Sequence, residues 1–105
     1  MFDKISLSEI QKVIHDWITK HGGYWPPLAM LSAIIEEIGE LAKEINHLEG
    51  FKPKLNKNEE FKIGEELADV LYALICIANY YKIDLNHELD NVISKYSTRD
   101  SKRFI

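Results

Sequence analysis

Between Leu67 and Ala78 the chain carries only one charged side chain, Asp69. A helix over this stretch is apolar nearly all round, and such a helix demands burial nearly all round. The stretch is too short to cross a bilayer core, which needs about 20 residues. Protein must therefore cover it. A carboxylate in those surroundings is costly unless it is protonated or partnered. Asp69 is accordingly expected to be buried and to have company.

Three more helices can be read around this one. Ser6 and Glu9 make the S-x-x-E capping box of a helix over 6–20, with Ile10, Val13, Ile14, Trp17 and Ile18 on its apolar face. Gly22-Gly23 stops it. Pro26 and Pro27 suit the first turn of a second helix, which reaches Leu48. Met30, Leu31, Ile34, Ile35, Ile38, Leu41, Ala42, Ile45 and Leu48 give this helix one broad apolar face. A loop with Lys52, Lys54 and Lys57 follows. The third helix is predicted over 58–81 with Asn58 as its N-cap. The fourth runs from an N-cap at Asp84 to Tyr96 and leaves a polar tail, Ser97 to Ile105. No segment sustains a period of two. The expectation is an all-α, four-helix bundle-type fold in one domain, residues 1–105.

Composition narrows the function. Thirteen Lys and Arg against seventeen Asp and Glu leave a net charge of −4. A mildly acidic domain lacks the basic face that a nucleic-acid polymer requires. The single cysteine, Cys76, cannot make an internal disulfide. The opening residues lack the apolar run of a secretory signal, and no membrane span is present, so a cytoplasmic protein is expected.

The acids are not spread as a solvated face would spread them. With Ile34 at 0° and 100° per residue, Glu37, Glu44 and Glu40 fall at about −60°, −80° and −120°, flanking the apolar face. Glu36 falls near −160°, and Glu36, Glu44 and Glu65 taken singly read as solvated. Glu66 and Asp69, three apart, make a second two-carboxylate unit. Gly39 and Gly64 each sit beside one unit. A mid-helix glycine costs about 1 kcal/mol relative to alanine, and close approach of two helices would justify it. An antiparallel pairing of helices two and three can gather Glu37, Glu40, Glu66 and Asp69 around one point. Four carboxylates without His or Cys suit a hard cation, Mg²⁺ or Mn²⁺.

These residues resemble a known signature. Glu36-Glu37-x-x-Glu40, followed by Glu66-x-x-Asp69, is similar to the motif of the MazG-like, all-α nucleoside triphosphate pyrophosphohydrolases. Trp25-Pro26-Pro27, Glu40-Leu41-Ala42, Glu66-Leu67-Ala68-Asp69-Val70-Leu71 and Lys95-Tyr96-Ser97-Thr98-Arg99-Asp100 extend the resemblance over residues 8–103. It implies Mg²⁺ held by Glu37, Glu40, Glu66 and Asp69, and cleavage of a nucleoside triphosphate between the α- and β-phosphates. Glu36 matches the first acid of the motif and is assigned to supporting the ligands or orienting water. Lys95 and Arg99 stand where the family places groups that face the phosphates, although many members carry Asn near the Arg99 position. Trp25 and His47 are candidates for stacking on the base.

The chemistry is self-consistent. Four carboxylates repel a triphosphate unless cations invert the local potential. Mg²⁺ can polarise a phosphoryl oxygen, and a carboxylate such as Glu36 or Glu37 can accept the proton of the attacking water. No P-loop is present. Family members are commonly dimers or tetramers, and the third helix is too apolar for a small monomer to cover, so a homo-oligomer is expected. Two other readings fit part of the pattern. Glu44-x-x-His47 could belong to a carboxylate di-iron bundle, and the helices could serve a non-catalytic interaction module.

Overall fold

The computed structural model describes residues 5–50 and 62–103. It contains four helices: α1 (Leu7–Lys20), α2 (Pro27–Leu48), α3 (Ile63–Tyr80) and α4 (Leu85–Arg103). No strand occurs among the described residues. The all-α expectation holds. The expected N-cap Asn58 and the lysine loop at 52–57 lie outside the described residues.

Local chemistry sets most helix ends. At α1 the Ser6 hydroxyl accepts from Glu9 N–H at 3.1 Å, and Glu9 Oε1 accepts from Ser6 N–H at 3.2 Å, completing the capping box. At α4 the carboxylate of Asp84 accepts from Asn86 N–H at 3.0 Å, as an N-cap should. It also accepts from the Ser8 hydroxyl at 2.7 Å. The Ser8 bond, more than any other contact, holds the Asp84 carboxyl below the usual aspartate range.

One boundary differs from expectation. The residues read as a polar tail after Tyr96 continue α4 to Arg103. Nothing in that stretch breaks a helix, because it has neither Gly nor Pro before Arg103. Polarity there marks exposure, not the end of the helix.

The chain divides into two compact units, and α3 contributes to both. The first holds α1, α4 and the end of α3 from Ala78 onward. Its most buried polar residue is Gln11, 7% exposed, at the corner between α3 and α4. Gln11 Nε2 donates to Asn79 Oδ1 at 3.0 Å and to the Ile83 carbonyl at 2.9 Å. Gln11 Oε1 accepts from Leu85 N–H, and Asn79 Nδ2 donates to the Gln11 carbonyl, both at 2.9 Å. Every polar atom of the Gln11 side chain is thus satisfied, which is what its burial requires. The same corner ends α3 in a Schellman motif. Ile83 N–H bonds to the Ala78 carbonyl at 2.8 Å and Lys82 N–H to the Asn79 carbonyl at 3.1 Å. Lys82 occupies the left-handed position at φ 59°, where glycine is usual.

The second unit, Trp25–Ile77, holds α2 and most of α3. Met30, Ile34, Ile75 and Cys76 are its buried residues. Much of the expected apolar face of α2 stays exposed in the single chain, including Leu31, Ile35, Ile38, Ile45 and Leu48. On α3, Leu67, Leu71, Tyr72 and Leu74 are likewise exposed, and so is Asp69. The burial expected for Asp69 is therefore not made within one chain, because its apolar neighbours on α3 are themselves uncovered. The glycine expectation also fails: a Cβ added at Gly39 or Gly64 meets nothing within 4 Å among the described residues. Neither glycine marks a close helix crossing in the single chain.

Candidate metal centre

The site lies wholly within the second unit. Glu37 comes from the middle of α2, while Glu66 and Asp69 come from the first two turns of α3. Their three-residue spacing puts Glu66 and Asp69 on the same part of the α3 surface. One carboxylate oxygen from each of Glu37, Glu66 and Asp69 lies within 4.8 Å of the others. Glu37 and Glu66 are half-buried and Asp69 is exposed. Glu40, one turn after Glu37, is exposed and stands outside that trio, although its charge reaches Glu66.

Glu66 carries the strain of the cluster. Burial raises its pKa, and so do a hydrogen bond with Glu37 and the charges of Glu37, Asp69 and Glu40. Its Oε2 is shielded from solvent and has no hydrogen-bond partner among the described residues. A buried acceptor without a donor is an uncommon feature. Here the donors missing around Glu66 are replaced by more carboxylates. A cation would satisfy the orphaned oxygen and remove the repulsion together. Oxygen donors without sulfur or imidazole fit a hard divalent ion.

The remaining sequence candidates are dispersed. Glu36 is exposed on α2. Trp25, which precedes the α2 prolines, is 66% exposed. His47 lies in the last turn of α2, half-buried, with its Nδ1 shielded and without a hydrogen-bond partner among the described residues. Lys95 and Arg99 belong to α4 in the other unit, and both place their cations over the Tyr96 ring, at 4.9 and 4.6 Å from its centroid. One residue read as solvated has a specific contact: Glu44 Oε2 accepts from Lys62 N–H at 3.2 Å. Its position two turns after Glu37 on the same flank was the available sequence signal.

The four-helix fold agrees with the comparisons. A model of the MazG nucleotide pyrophosphohydrolase domain matches residues 26–104. The chain belongs to the MazG nucleotide pyrophosphohydrolase family. YpjD of Bacillus subtilis strain 168, described as an uncharacterized protein, is 41% identical over 105 residues, 99% of this chain and 94% of that protein. Among solved structures, the candidate pyrophosphatase YPJD from Bacillus subtilis superposes with a TM-score of 0.79 at 42% identity, covering 94% of this chain and 99% of that one. The Bacillus-conserved MazG protein, a nucleotide pyrophosphohydrolase, gives 0.76 at 38% identity over 90% and 93%. The iMazG protein from Vibrio DAT 722 gives 0.58 at 33% identity over 87% and 99%. This MazG chain is a hydrolase of all-α fold. No helix among its described residues is long and apolar enough to cross a membrane.

Proposed function

We propose that the protein is a Mg²⁺-dependent nucleoside triphosphate pyrophosphohydrolase, cleaving NTPs or dNTPs between the α- and β-phosphates to a monophosphate and pyrophosphate. The observation that carries this reading is the trio Glu37, Glu66 and Asp69 around an orphaned Glu66 oxygen. Glu40, one turn after Glu37 on α2, would be the fourth ligand. Mn²⁺ is an acceptable substitute for this donor set. When bound, the ion supplies charge neutralisation and polarisation of the phosphoryl oxygens.

The chain's own groups supply the rest. Burial, a hydrogen bond with Glu37 and the charges of Glu37, Asp69 and Glu40 raise the Glu66 pKa, and a divalent ion held by these carboxylates would offset the repulsion. Glu36, exposed beside Glu37, orients the attacking water and accepts its proton, with Glu37 as the other candidate for that role. Trp25, exposed, and His47, half-buried, are the candidates for stacking on the base. Lys95 and Arg99 contribute positive charge toward the phosphates. Residues 1–105 act as one catalytic domain, the protein works in the cytoplasm, and removal of unwanted nucleotides is its role in the cell.

Product analysis tests the reaction. Metal-stripped protein is incubated with a panel of NTPs and dNTPs, with and without Mg²⁺, and the products are separated by ion exchange. Monophosphate and pyrophosphate, formed only with metal, are expected. Diphosphate and phosphate would overturn the cleavage site, and undiminished turnover without metal would overturn the role of the ion.

A further inference from the structure

We infer that Glu44 is a positioning residue for the carboxylate cluster, holding the first turn of α3 against α2 through the backbone N–H of Lys62. The inference deepens the metal reading above and rests on it. Glu44 and Glu37 are seven residues apart on α2, about two turns, and so share one flank. Glu44 Oε2 accepts the Lys62 N–H at 3.2 Å. The Lys62 carbonyl in turn accepts Glu66 N–H at 2.9 Å, closing the first turn of α3. A single short path therefore runs from the helix that carries Glu37 to the backbone that carries Glu66.

Two further observations give that path weight. The first amides of a helix have no partner within the helix, so an acceptor from outside is needed there, and a carboxylate also complements the positive end of the helix dipole. Among the described residues, apolar packing near this end of α3 is incomplete. Ile38, Leu67 and Leu71 are exposed, and the surroundings of Gly39 and Gly64 are open. The polar tie therefore adds to what apolar packing supplies in fixing the spacing of Glu37 and Glu66. Partners of this supporting kind change metal affinity by about 10- to 100-fold when lost.

Two conservative variants separate the bond from the charge. Glu44→Gln keeps an acceptor oxygen at the same reach and loses the charge. Glu44→Asp keeps the charge and falls one methylene short. Mn²⁺ binding to the full chain is measured without nucleotide by electron paramagnetic resonance, well below the melting temperature of each variant. Positioning predicts Mn²⁺ affinity within about twofold of wild type for Glu44→Gln and about tenfold weaker for Glu44→Asp. The reverse order would show that Glu44 acts by charge and would overturn the inference. Equal affinity in all three proteins would overturn it while leaving the metal reading intact. Failure of the wild type itself to bind Mn²⁺ would remove the metal reading and this inference with it.

Discussion

Glu66 is where the sequence, the geometry and the chemistry meet. Its raised pKa means that the folded state binds a proton at Glu66 more tightly than the unfolded chain does. The stability tied to this group is therefore fully present below the ordinary glutamate range, about pH 4, and is lost as pH rises through the raised value. In EDTA, Glu66→Gln should melt higher than wild type at pH 7.5, and the gap should close as pH falls toward 4. A gap that widened on acidification would contradict the cause given for the shift. Asp69→Asn should abolish most Mg²⁺-dependent hydrolysis while leaving the helical circular dichroism unchanged; full turnover would remove Asp69 from the site. The pairing of Glu66 with Asp69 was legible in the sequence because a three-residue spacing in a helix permits little else. The exposure of Asp69 was not, because burial of an apolar helix is a property of whatever covers it. Glu44 escaped for a different reason: its partner is a backbone amide, and periodicity says nothing about which amides lack a donor's complement.

At the scale of the element, the starts of α1 and α4 were readable because capping is local chemistry. Ser6 with Glu9, and Asp84, need only their near neighbours in sequence to announce a helix start. The end of α4 was misread because polarity was taken as a stop signal where only Gly, Pro or a cap could supply one. The α3–α4 corner shows the opposite case, a local preference overridden. Lys82 holds a left-handed conformation that costs an L-residue about 1 kcal/mol or more, because the Schellman bonds on either side require it. Lys82→Gly should relieve that cost, offset in part by the greater freedom of glycine in the unfolded chain. A net gain of about 0.5 kcal/mol is expected in urea denaturation. A loss of stability would mean that the lysine side chain contributes more at the corner than its backbone costs.

For the whole molecule, the outstanding fact is how much apolar surface one chain leaves uncovered. Leu28 is 74% exposed and Ile35 63% exposed, and the exposed side chains of α2 and α3 are too numerous for scattered surface residues. A second copy, making a dimer or a tetramer, is the cover we propose. Light scattering behind a sizing column should then give a mass at least twice 12.2 kDa at micromolar concentration. A mass of one chain would refute it. A ligand that binds only the folded state raises its melting point, so Mg²⁺ added in excess should raise that temperature in wild type and not in Asp69→Asn. The Gln11 corner has a different consequence, for how such a protein can change over generations. Gln11 and Asn79 each supply what the other lacks, so a replacement at one strands the other. That corner can drift only by paired exchange, whereas the open ring of Trp25 can be retuned one substitution at a time. With Trp25 stacking on the base as proposed, lineages of this chain could shift their taste in nucleotides long before they could alter the joint between α3 and α4.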